Sequence, residues 1–131
     1  MLTEKLPMWA KLIGYLFGLG LIFIGGRFLI DPESAERGFG LIYSQPSESF
    51  HYIKGVRDLF SGLLMAVFTA ANWRKPLAVT ILLGSLIPTV DMLIVLTMPS
   101  TIPEAAWIHG LTALSAWVYG YFLWRLKSPA S

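Results

Sequence analysis

Lys54, Arg57 and Asp58 stand at the head of a fifteen-residue run, 59–73, that contains no charged residue. A helix needs about 20 residues to cross a bilayer, so a span through this run must take in all three charges. Charges at or inside a membrane edge need partners. The rest of the chain has to supply them.

Composition decides that a bilayer is the relevant solvent. A water-soluble domain carries about 25% charged residues; this chain of 131 residues carries 14%, with 55% hydrophobic and a mean hydropathy of +0.62. That polar surface is too small to cover a water-facing globule, and the lipid bilayer is the expected partner. A net charge of +2 argues against nucleic acid. The absence of cysteine excludes disulfides, thiolate metal sites and cysteine nucleophiles.

The expected architecture is all-α, a single domain over residues 1–131 forming a four-helix transmembrane bundle. Its spans lie near 9–30, 52–73, 77–96 and 105–124. The first is read as a retained helix, because Gly26-Arg27-Phe28-Leu29 makes a poor signal-cleavage site. Between the first two spans Asp31 to Gly38 forms a short surface helix, with Asp31 as N-cap, Pro32 at the first position and Gly38 at the end. Phe39, Leu41, Ile42 and Tyr43 then give an apolar patch suited to the membrane surface, and Ser44 to Ser49 is loop. Lys5, Lys11, Arg74, Lys75, Arg125 and Lys127 collect at one side with Trp9, Trp73 and Trp124, which places both termini in the cytoplasm.

With that topology the buried polar groups share one depth. Arg57 and Asp58 on the second span, Asp91 on the third and His109 on the fourth each lie about two turns or less from the outer end, and Arg27 lies about one turn from it. Rotation at about 100° per residue puts Lys54, Asp58, Ser61 and Met65 on one face of the second span. A lone Asp or Arg at mid-span costs about 2.5–3.5 kcal/mol, so pairing is expected: Arg57 with Asp91, and Lys54 or Arg27 with Asp58. Pro88 frees the Gly84 carbonyl just below Asp91, so the third span should kink there.

Two meanings compete for this layer. It is a clamp that fixes helix register, or a pocket, opening to the outer leaflet, for a small amphipathic ligand such as a lipid head group or quinone. In the pocket, Arg27, Lys54 and Arg57 hold the head while Asp58, Asp91 and His109 orient them. Other readings are a membrane enzyme or redox-accessory subunit using His109 and Asp91 for proton transfer, and a small oligomeric transporter. No cofactor can be named. His51, Asp58, Asp91 and His109 share no helix at ligand spacing, so no metal site is read. Gly14 and Gly18 form a small-residue face for helix packing or for a homo-oligomer.

Gly26-Arg27-Phe28-Leu29-Ile30-Asp31-Pro32 followed by Gly38-Phe39-Gly40, Lys54-Gly55-Val56-Arg57-Asp58 followed by Gly62, Pro88-Thr89-Val90-Asp91, and His109-Gly110 together resemble a family of small four-span membrane proteins classed as a domain of unknown function. The resemblance runs from about Leu12 to Trp124. It implies a four-helix membrane fold and carries no activity onto any residue.

Overall fold

The computed structural model describes residues 5–42 and 48–127, with only the backbone of residues 48 and 49. Six α-helices follow in order: α1 (Met8–Ile30), α2 (Pro32–Phe39), α3 (Glu48–Ala70), α4 (Arg74–Gly84), α5 (Leu86–Thr97) and α6 (Ala106–Arg125), the last entered through a 3₁₀ turn at Pro103–Ala105. The chain is all-α. Among the described residues the only extended pairing is the antiparallel bridge Leu41–Thr101.

Small residues decide which helices meet. A Cβ added to Gly62 would lie 2.5 Å from the Gly18 carbonyl oxygen, and one on Gly25 would lie 2.6 Å from the Gly55 carbonyl. Only glycine permits that approach, so α1 and α3 pack antiparallel, backbone against backbone. On the other side Gly120 meets Leu82 and Gly110 meets Met92, which sets α6 antiparallel to α4 and α5. The two pairs join at one end through Leu6, Ala10, Met65, Leu77, Ala78, Ile81, Ala116, Tyr119 and Leu123. There the Leu6 amide donates to Asn72 Oδ1 (3.1 Å) and Arg74 Nη1 donates to the Leu123 carbonyl (2.8 Å), which caps the end of α6.

Several expectations need correction. Helix α3 begins at Glu48, so part of the expected Ser44–Ser49 loop is helical; 43–47 lie outside the described residues. Helix α2 is capped by Asp31, whose carboxylate accepts from the Ser34 amide, but it ends at Gly40 (φ 102°) rather than Gly38. Gly40 adopts the left-handed conformation that terminates helices cheaply. Beyond Gly40 the Ile42 side chain is exposed, while the Ile42 amide donates to the Ser100 carbonyl (2.9 Å) and the Ile102 amide to the Gly40 carbonyl (2.7 Å), tying the two connections together. The break between α4 and α5 falls at Ser85, where Pro88 has no N–H for the Gly84 carbonyl.

Gly14 and Gly18 are packing glycines. Both are buried, facing Thr69 and the Gly62–Ala66 stretch of α3.

By length and composition two helices suit a membrane crossing, Met8–Ile30 and the continuous Arg74–Thr97 segment formed by α4 and α5. Helix α3 carries Lys54, Arg57 and Asp58 near its start, which lowers its apolar character.

Candidate functional site

Helix periodicity aligns Lys54 with Asp58 one turn on, and Lys54 Nζ donates to Asp58 Oδ2 at 2.6 Å. Both are nearly closed to solvent, 7% and 5% exposed. A buried pair holds together only where geometry and further contacts offset its desolvation. Here the ammonium also lies 5.2 Å from the Phe28 ring centroid and 5.3 Å from that of Phe39. Two aromatic faces and one carboxylate therefore enclose it.

Phe39 carries the arrangement across to α6. Its carbonyl accepts from His109 Nε2 at 2.7 Å, and the two rings meet at a 55° tilt with 4.5 Å between centroids. A carbonyl can only accept, so Nε2 bears a proton and donates it to this bond, leaving Nδ1 as the ring nitrogen not engaged by Phe39.

Arg27, Lys54, Asp58, Asp91 and His109 line one cavity of about 430 Å³. The depth argument brings these residues together, from α1, α3, α5 and α6. The expected interhelical pairs are not made. Arg57 is exposed and stands outside the cavity lining. It contributes to the field at Asp91, along with Lys54, His109 and Asp58, without an ion pair. Its side chain leaves α3 about 100° from Asp58, enough to turn it outward. Arg27 has no ion pair either, so Lys54 is the cation that pairs with Asp58.

Below the charged layer the cavity is mostly apolar or small-sided, walled by Leu21, Met65, Ile81, Gly84 and Ala116, with the hydroxyls of Ser61, Thr80 and Thr112 as its polar groups. Its other end is covered by α2 through Ala35, Gly38 and Phe39. A Cβ on Gly20 would meet nothing within 4 Å, so this glycine borders open space.

Sequence reasoning missed a second buried polar pair. His51 is 2% exposed and Glu36 is 3% exposed. Their Nδ1 and Oε1 atoms approach to 2.7 Å. The contact is electrostatic rather than a well-aligned hydrogen bond. Burial pushes the Glu36 carboxyl above its ordinary range, and the charge of His51 pulls part of that rise back. His51 lies three residues before Lys54, on the same face of α3; that spacing was the available signal, hidden by starting the helix at Tyr52.

The sequence matches the family model described as Domain of unknown function (DUF4267) over residues 18–123, most of the chain, and the chain belongs to that family. The resemblance read from its short motifs is to the same family. All of the cavity-lining charges fall within the matched residues. Neither a curated protein nor a solved structure matches the chain.

Proposed function

We propose that this member of the DUF4267 family is a multi-pass membrane protein, one four-helix domain with spans α1, α3, the bent α4–α5 and α6, that holds a small amphipathic ligand in the cavity between its helix pairs. The membrane part is supported by an inverted distribution of polarity. Leu16 is 72% and Phe60 64% exposed, while Lys54, Asp58 and His51 are buried. Only 22% of the most apolar window of α1 and 17% of that of α4–α5 are buried, whereas the core helix of a soluble domain buries most of its surface. Hydrocarbon is the solvent that suits such an exterior. The basic residues at the Arg74 end, with Lys75 Nζ 5.6 Å from the Trp124 ring, support cytoplasmic termini.

The observation that carries the ligand reading is the state of Arg27 and Asp91. Both line the cavity and, among the described residues, neither forms an ion pair, above a shaft of mostly apolar walls. A clamp needs interhelical ion pairs, and the one close pair in the layer, Lys54–Asp58, lies within α3. Intramembrane charges facing a cavity call for an occupant. The test is native mass spectrometry of protein extracted in mild detergent. Wild type should retain an amphiphile, and Arg27→Gln and Asp91→Asn, still folded, should each lose most of it. A wild type without bound amphiphile, or variants that retain it fully, would overturn the reading in favour of a clamp.

His109 favours a second reading, proton transfer to a bound molecule through Nδ1, since Nε2 is occupied by Phe39. If His109→Gln left both ligand retention and any turnover unchanged, that reading would fall.

A further inference from the structure

The polar cavity does not end inside the bundle. Leu16, Phe17 and Thr112 line both it and a second, more open groove of about 570 Å³ between α1 and α6. The groove continues along Trp9, Ile13, Ser115, Val118, Tyr119 and Phe122. Its floor is firm: Tyr119 donates to the Ala10 carbonyl (2.5 Å), stacks on Phe17 at 5.8 Å and meets the edge of Trp9 at 6.4 Å.

Length discriminates among occupants. From Arg27 to Trp9, α1 rises about 27 Å at 1.5 Å per residue. One leaflet of hydrocarbon is about 15 Å, half of the roughly 30 Å core. The continuous path therefore runs nearly the full apolar thickness, well beyond what a phospholipid chain confined to one leaflet needs.

The head end discriminates too. Lys54 and Asp58 neutralise each other, which leaves Arg27 and Asp91, one cation and one anion. The layer is net neutral and bipolar. Helix α2 covers one end of it through Ala35, Gly38 and Phe39, which limits the room for a head there. A phosphate-bearing head would bring uncompensated charge into this net-neutral layer, whereas a carbonyl can accept from Arg27 or from a protonated Asp91, and a hydroxyl can accept from Arg27 and donate to the Asp91 carboxylate.

Resting on the pocket reading above, we infer that the occupant is a long single-tailed amphiphile with a small uncharged oxygen head, its head between Arg27 and Asp91 and its tail leaving the bundle through the α1–α6 groove. Quinones and polyprenols share this chemistry, and the experiment separates them.

The protein is placed in phosphatidylcholine nanodiscs and offered benzoquinones with no, short and long isoprenoid tails, and polyprenols of matching lengths, with binding read by native mass spectrometry. The tail leaves lipid for the groove, so only packing contributes; long tails should bind roughly fivefold tighter than short ones. Ser115→Trp, which fills the groove, should remove that gain and leave short-tailed binding unchanged. Leu114→Trp, on the same turn but outside the groove lining, should behave as wild type. Whichever head series shows the gain identifies the class. Equal affinity across tail lengths, an unaffected Ser115→Trp, or preference for a phospholipid overturns this inference alone. Failure of every amphiphile to bind wild type overturns the pocket reading as well.

Discussion

Glu36 Oε1 lies 2.7 Å from His51 Nδ1 with both side chains withdrawn from solvent, and this contact fastens α2 to the start of α3. Because α2 covers the cavity, the pair sets how firmly the site is closed.

The stability of that closure should depend on pH through Glu36. Burial raises its folded-state pKa above the ordinary value of 4.5, with His51 opposing. The folded chain then binds more protons than the unfolded chain above pH 4.5, so this contribution is fully present below 4.5 and is lost as pH rises through the folded value. The difference in Tm between wild type and Glu36→Gln, measured in detergent, should shift against wild type as pH climbs from 4.5. A difference independent of pH would sink the assignment.

The Lys54–Asp58 pair predicts a non-additive double mutant. Asp58→Asn leaves an ammonium between Phe28 and Phe39 without its carboxylate, which costs about 3–5 kcal/mol for a buried pair broken on one side. Lys54→Met with Asp58→Leu removes both charges and should recover most of that loss. Unfolding by SDS titration reads both. A double variant less stable than Asp58→Asn would show that the charges themselves hold the fold.

Depth was legible in the sequence because it depends only on helix rise: Arg27, Lys54, Asp58, Asp91 and His109 face one cavity as their distances from the helix ends require. Rotation was legible for Lys54, Asp58 and Met65, which share a period-3.6 face. Arg57 was misjudged because its long side chain was paired by depth alone, although its angle on α3 turns it outward. Pairings across helices were not legible. They depend on where α2 docks, and α2 is placed by the Gly40 turn and the bridge of Leu41 to Thr101, a contact between segments sixty residues apart with no periodic signature. The same docking brings Phe39 to both Lys54 and His109 and buries Glu36.

Close approach of α1 and α3 should make alanine substitution strongly position-dependent. At Gly62 a Cβ meets the Gly18 carbonyl oxygen at 2.5 Å and the Ile22 amide at 2.7 Å. These are backbone atoms, so the helices must separate, and Gly62→Ala should cost about 1–3 kcal/mol. At Gly26 a Cβ meets nothing within 4 Å, and Gly26→Ala should be neutral or stabilise by up to about 1 kcal/mol through helix propensity. Thermal denaturation in detergent distinguishes them; equal effects would mean that α1 and α3 do not touch through this face.

Pro88 should govern whether Asp91 reaches the cavity. Side-chain hydroxyls bond backbone on both sides of the break: Ser85 Oγ donates to the Leu82 carbonyl (2.6 Å) and Thr89 Oγ1 to the Ser85 carbonyl (2.8 Å). Pro88→Ala restores an N–H for the Gly84 carbonyl and removes the ring that crowds it. The segment from Arg74 to Thr97 should then straighten and gain about 1 kcal/mol, while Asp91 swings from its present position. Spin labels at Val79 and Leu93, both on exposed sites, should report a separation near the roughly 21 Å rise of a straight helix over that interval, and amphiphile retention should fall with it. Straightening without loss of retention would free Asp91 from any part in holding the head and leave that task to Arg27.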